Sequence, residues 1–179
     1  MTSQESSTLA AEIRPFIRDL PDYPSSGITF RDITPLLADP TAFSRTIEGL
    51  AGLVPDDTDF IAGMEARGFM FGAALAHHLG IGFVPIRKAG KLPPPVKSYT
   101  YDLEYGQATV ELRDGTVPEG SRVVLLDDVL ATGGTAQAGA ALLEHNGAQV
   151  TDLIFVMELD GLGGRKVLEG RAVSALLAV

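Results

Sequence analysis

Arg122-Val123-Val124-Leu125-Leu126-Asp127-Asp128-Val129-Leu130-Ala131-Thr132-Gly133-Gly134-Thr135 is the stretch on which the fold of this chain turns. Four consecutive apolar residues, 123–126, read as a strand covered on both faces. Asp127 and Asp128 are expected to close that strand, and a turn rich in Gly and Thr follows. Residues 136–143 continue as a helix, with Asn146-Gly147 as its stop. Strand, small-residue loop and helix N-terminus together form an arrangement that holds a phosphate on free backbone N–H groups. No Lys follows the glycines, so the loop is not a Walker A sequence. Nor does Gly133-Gly134 have the three-glycine spacing of a dinucleotide fingerprint.

The acidic pair gives the loop its character. Carboxylates just before a phosphate loop can accept hydrogen bonds from the vicinal hydroxyls of a ribose whose 5′-phosphate rests in 131–135. Adjacent strand residues point to opposite faces, so the two carboxylates need not share one task.

Outward from this stretch the chain alternates. Residues 9–20 are amphipathic, with Ile13, Phe16, Ile17 and Leu20 on one stripe, and the Pro- and Ser-rich segment 21–27 breaks them. Asp39 with Pro40 reads as an N-cap and first turn, ahead of a helix carrying Phe43, Ile47 and Leu50. Residues 60–64 read as a short buried strand, 65–68 as a turn, and 69–78 as a helix stopped by Gly80. A strand follows at 82–86, although Pro85 removes a ladder donor. Lys91-Leu92-Pro93-Pro94-Pro95-Val96 reads as an extended, exposed excursion. Residues 101–103 and 107–112 read as hairpin arms around Glu104-Tyr105-Gly106, and a further strand is expected at 150–157. Strands separated by helices predict an α/β fold with a doubly wound, mostly parallel sheet flanked by helices. Ligands in such sheets bind beyond the carboxyl ends of the strands. The turn at 65–68 and the loop at 127–135 both lie there, so one site can use both.

Composition narrows the function. A length of 179 residues with 45% hydrophobic content suits one domain with a full core. Apolar runs are too short for a membrane span, and the polar start, 1–8, reads as a short frayed lead-in, not a secretory signal. Zero Cys excludes disulfides and thiolate metal sites and is compatible with the cytoplasm. A net charge of −9 argues against a nucleic-acid surface. A polyanionic substrate would have to meet local positive charge and a metal ion.

The stretch from Asp127 to Thr135 resembles the 5-phosphoribosyl-1-pyrophosphate (PRPP) motif of type I phosphoribosyltransferases, and most closely that of the family's adenine branch. The resemblance extends from about the first helix to Gly170, with EARGF at 65–69 and YDLEYG at 101–106 as further specific motifs. It implies the family's fold, with an N-terminal hood (about 1–35) and a flexible hairpin lid (about 91–112) on a single domain. It also implies transfer of phosphoribose from PRPP to adenine in purine salvage, a homodimer, and Mg²⁺ bound mainly through PRPP and water without direct protein ligands. Rival readings are a relative using another base, such as hypoxanthine or xanthine, and a non-enzymatic PRPP sensor.

The site residues follow by the same resemblance. Asp127, Asp128, Ala131, Thr132, Gly133, Gly134 and Thr135 would hold ribose and 5′-phosphate. A branched side chain at Ala131 or Gly133 is expected to fill the phosphate space with the fold intact. Glu65, Ala66 and Arg67 would form the pyrophosphate loop, Gly68 letting an anion approach the helix, and the Glu65–Ala66 peptide is a candidate for a non-proline cis bond. Lys88 and Lys91 would meet pyrophosphate, with Arg87 a weaker candidate and Lys91 able to act across a dimer. Glu104 would be the catalytic carboxyl that moves the proton at adenine N7, alongside Arg67, and Tyr105 would contact phosphates or close the site. Thr29, Phe30 and Arg31 would bind adenine, Phe30 by stacking and Arg31 through its backbone. Two departures stand out: the stiff Pro93-Pro94-Pro95 run and Thr29, where a branched apolar residue is common. His77, His78 and His145 match nothing catalytic.

Overall fold

A computed structural model describes residues 3–102 and 106–179, with side chains from Ser7 onward. The polar lead expected to fray is helical from Ser3, as α1 (Ser3–Ile13). The helix expected to reach Leu20 ends at Ile13, where a 3₁₀ turn, Arg14–Phe16, takes over. Pro15 cannot supply the helical N–H and crowds the preceding turn. Residues 18–20 form β1 (Arg18–Leu20) instead, antiparallel to β2 (Phe30–Asp32) in a separate two-stranded sheet. After α2 (Thr34–Ala38), the Asp39 carboxylate accepts from the N–H groups of Thr41 and Ala42, at 3.0 and 2.8 Å, and opens α3 (Pro40–Ala51) as expected of an N-cap.

The remaining elements are β3 (Phe60–Met64), α4 (Arg67–Leu79), β4 (Gly82–Lys88), β5 (Val96–Asp102), β6 (Gln107–Arg113), β7 (Arg122–Leu130), α5 (Gly134–His145), β8 (Gln149–Glu158), α6 (Gly164–Val167) and β9 (Val173–Ala178). Gly80 caps α4 at φ 71°, the left-handed stop that the sequence predicts. Seven strands form one sheet in the order β5-β6-β4-β3-β7-β8-β9. The run β4-β3-β7-β8-β9 is parallel, whereas β6 pairs antiparallel with both β4 and β5.

Two further expectations change. β7 does not end at the acidic pair but runs to Leu130, because β8 keeps pairing beside it, with Asp127 opposite Phe155 and Leu130 opposite Glu158. The hairpin arm before Glu104 starts at Val96, not Tyr101. Its partner β6 continues the main sheet through Arg87 and Lys88 of β4, so the described arms extend the sheet. Helix α6 and the edge strand β9 carry too little periodicity to be read beforehand.

β7 lies between two cores. Val124 and Leu126 face Ile61, Phe71, Leu75 and Ile154 under α1, α3 and α4. Val123 and Leu125 face Met64, Leu142, Leu143 and Phe155 under α5 and the hairpin. Alternate residues are thus buried on opposite faces, which is why the strand is apolar throughout and not alternating.

Candidate active site

The loop after β7 shapes the first part of the site. Gly133, at φ 85°, turns the chain into α5, whose first helical bond runs from Gln137 N–H to Gly133 C=O at 2.9 Å. The N–H groups of Gly134, Thr135 and Ala136 therefore precede the helical ladder and suit an anion. A cavity of about 150 Å³ opens there, lined by Asp127, Ala131, Thr132, Gly133 and Thr135 among others. Gly133 also has a structural duty, since a Cβ on it would sit 2.7 Å from the Gly164 carbonyl oxygen. A Gly133→Val change would push α6 away, so the expectation of an intact fold fails at this position. Ala131 borders the cavity and is partly exposed. Ala131→Val is expected to weaken ribose 5-phosphate binding by about 10²–10³-fold, the loss of one or two charge-assisted hydrogen bonds. Titration calorimetry measures this, and unchanged affinity would remove the loop from phosphate binding.

The acidic pair stands beside this cavity. Asp127 borders both the phosphate cavity and a larger trough of about 600 Å³, whereas Asp128 borders the trough and a third cleft. The Asp127 carboxylate accepts from the Asp128 N–H at 2.9 Å. Asp128 is buried, and its Oδ2 lies 2.9 Å from Arg67 Nε but has no aligned hydrogen bond. Gly68 explains how α4 comes so close: a Cβ there would stand 2.9 Å from Asp127 Oδ1 and 2.9 Å from Leu126 O. Its missing side chain makes room for the acidic strand, a reason the sequence reading did not contain.

Burial pushes the Asp127 carboxyl well above its ordinary range, and the Asp128 charge adds to the rise. Asp128 is also raised, its burial outweighing the opposing Arg67 guanidinium. A carboxyl raised in the folded state favours folding when protonated, and that contribution is lost as pH climbs from the ordinary value of 3.8 through the folded one. Asp127→Asn removes the penalty. The ligand-free variant is expected to melt about 2–4 °C higher at pH 7, the effect of ~1 kcal/mol in a domain of this size. The gain should shrink toward pH 4, and a lower melting temperature at pH 7 would contradict the electrostatic argument.

The turn after β3 builds the trough's far wall. Its Glu65–Ala66 peptide is cis, as the resemblance implied. Glu65 does not point free into the trough. Its carboxylate accepts from the Lys88 N–H at 2.8 Å and from Arg87 Nε at 3.1 Å, and Arg87 holds it below the usual carboxylate range. Arg87 in turn lies over the Phe69 ring, 5.7 Å from its centroid. Lys88 borders the trough with Glu65, Ala66 and Arg67, whereas Lys91 is exposed and is not among the lining residues.

The third cleft, about 140 Å³, lies under β2 and is lined by Thr29, Phe30 and Arg31 together with Arg67, Met157 and Leu159. Phe30 stands edge-on to Tyr23 at 5.4 Å, and the Arg67 guanidinium lies 5.3 Å from its ring centroid. Arg67 thus ties the hood to the acidic pair. Arg31 Nη1 lies 2.6 Å from Asp19, so its side chain is committed to β1. Glu104 and Tyr105 fall outside the described residues. Met157 and Leu159 were missed in the sequence, although their place at the carboxyl end of β8 is where ligands gather in such sheets. Val129 lines all three spaces, so they adjoin one another.

Comparisons with known proteins show which family this chain resembles in sequence and fold. A family profile described as the phosphoribosyl transferase domain matches residues 37–174. An adenine phosphoribosyltransferase from Synechococcus sp. is 54% identical over 159 residues, 88% of this chain and 91% of that protein. The crystal structure of adenine phosphoribosyltransferase from Thermoanaerobacter pseudethanolicus superposes with a TM-score of 0.91 at 51% identity, covering 94% of this chain and 99% of that one. The Saccharomyces cerevisiae adenine phosphoribosyltransferase, solved with an imino-altritol bisphosphate and adenine, gives a TM-score of 0.89 at 41% identity, covering 95% and 99%.

Proposed function

The chain belongs to the phosphoribosyl transferase domain family, and from that premise we propose that it joins adenine to the 5-phosphoribosyl group of PRPP, giving AMP and pyrophosphate in purine salvage. The observation that carries this reading is the row of three adjoining spaces along the carboxyl ends of the strands. It runs from the N–H groups at the start of α5, past the half-buried Asp127 and the buried Asp128, to a cleft lined by Phe30. Its order matches the order of phosphate, ribose and base in the product.

The loop 131–135 anchors the 5′-phosphate, and Asp127 and Asp128 accept from the ribose hydroxyls. Charge-assisted hydrogen bonds of this kind contribute about 1.5–3 kcal/mol each. Arg67, Lys88 and the turn at Glu65-Ala66 face the pyrophosphate, with Glu65 acting by holding Arg87 and the Lys88 backbone. Lys91, exposed on this chain, serves a neighbouring subunit in a homodimer. The bond from C1′ to the pyrophosphate oxygen breaks as adenine N9 bonds to C1′, and the base gives up one proton overall. Glu104 is the carboxyl that handles this proton at N7, and Tyr105 closes the site. Phe30 stacks on the base, with Thr29 and the Arg31 backbone at its edge.

Mg²⁺ fits as an ion carried by the substrate. Such an ion would be held mainly by PRPP and water, and the Asp127 and Asp128 carboxylates, which border the trough, would face its water ligands. When bound, it neutralises charge on the departing pyrophosphate. Among the described residues no helix is long and apolar enough to cross a membrane, and we place the enzyme in the cytoplasm. A panel of purine bases with PRPP and Mg²⁺, followed by nucleotide formation, tests the reading. Adenine should be the substrate used best, and absence of AMP would overturn it.

A further inference from the structure

Strand β5 is moored at both ends of α5. Tyr99 and Tyr101 are two residues apart and so project from the same face. The Tyr99 ring stacks on His145 in the last turn of α5, with centroids 5.4 Å apart and planes at 24°. The Tyr101 hydroxyl lies 3.4 Å from Thr135 Oγ1 in the first turn of the same helix. Thr135 lines both the phosphate cavity and the trough, and Tyr101 lines the trough. Tyr101 also precedes Glu104 by three residues.

Counting hydrogens shows what phosphate would do to this contact. Each hydroxyl has one proton to donate and lone pairs to accept. With the loop empty, either oxygen can donate to the other. A 5′-phosphate takes the Thr135 proton in a charge-assisted bond, leaving Thr135 able only to accept, and Tyr101 becomes the donor. Consecutive hydroxyls aligned in this way polarise and strengthen one another. We propose that Tyr101 is a positioning residue that couples occupation of the 5′-phosphate loop, through Thr135, to the placement of the β5 and β6 arms, which flank Glu104 in the sequence. This rests on the phosphate assignment made above.

Tyr101→Phe tests it, because only the hydroxyl is lost. The variant should bind ribose 5-phosphate within about threefold of wild type and keep its KM for adenine, while kcat falls about tenfold, the scale of one hydrogen bond. Amide hydrogen exchange separates coupling from mere support. Ribose 5-phosphate should slow exchange in 96–102 and 107–113 of wild type, and this slowing should disappear in Tyr101→Phe and Thr135→Val but survive in Thr135→Ser. Hairpin protection that persists in Tyr101→Phe overturns the coupling alone, as does a wild-type hairpin indifferent to bound ribose 5-phosphate. Failure of wild type to bind ribose 5-phosphate overturns the loop assignment and the coupling together.

Discussion

Hypoxanthine is expected to react about 10⁴–10⁵-fold less efficiently than adenine in kcat/KM, the discrimination reached by sites whose buried polar groups would be left unpaired by the wrong substrate. Adenine presents an N6 donor beside an N1 acceptor; hypoxanthine presents an O6 acceptor beside an N1 donor. Under the proposed function, backbone C=O and N–H groups at the rim of the cleft that match the first pattern would oppose like with like in the second. The Arg31 side chain is held by Asp19 at 2.6 Å, so under the proposed function its backbone, not its guanidinium, would read the base. Replacing the Arg31 side chain should therefore change selectivity little. Phe30→Ala should weaken both bases by a similar factor, because stacking does not depend on the edge pattern. Steady-state kinetics with both bases at fixed PRPP decides the matter: comparable kcat/KM values would exclude adenine specificity and favour a broader purine transferase.

Glu104→Gln is expected to lower kcat by about 10²–10⁴-fold while leaving PRPP affinity nearly unchanged. The amide keeps the size of the side chain but cannot take a proton, and general acid–base catalysis contributes on this scale. The contacts assigned to PRPP lie elsewhere, on the loop 131–135, the acidic pair and the turn at 65–67. Rate and affinity should separate for that reason. Pre-steady-state measurement of AMP formation, with PRPP binding followed by calorimetry, would show it. A kcat equal to wild type removes Glu104 from proton transfer. A parallel loss of PRPP binding reassigns it to holding the substrate.

The parallel core was legible because its information is local. The apolar run at 123–126, the Asp39 cap and the Gly80 stop each depend on a few neighbouring residues, and each stands where the sequence puts it. Elsewhere the signal was local but a distant partner prevailed. Residues 18–20 carry on a helical stripe, yet Pro15 ends the helix and pairing with 30–32 draws them into a strand. The acidic pair looks like a strand end, yet β8 extends the ladder past it.

The site divides in the same way. Sequence alone determined the residue types that suit a phosphate and a ribose, the order of the motifs along the chain, and the strand-to-helix turns on which they lie. Only the tertiary structure decided how those residues are spent: Glu65 on Arg87 and the Lys88 backbone, Arg67 between Asp128 and Phe30, Gly68 on making room for Asp127, and Gly133 on clearing the Gly164 carbonyl. A side chain's chemistry is carried by its own atoms, but its partners come from segments tens of residues away. The burial that raises the Asp127 and Asp128 carboxyls arises only when those segments pack together.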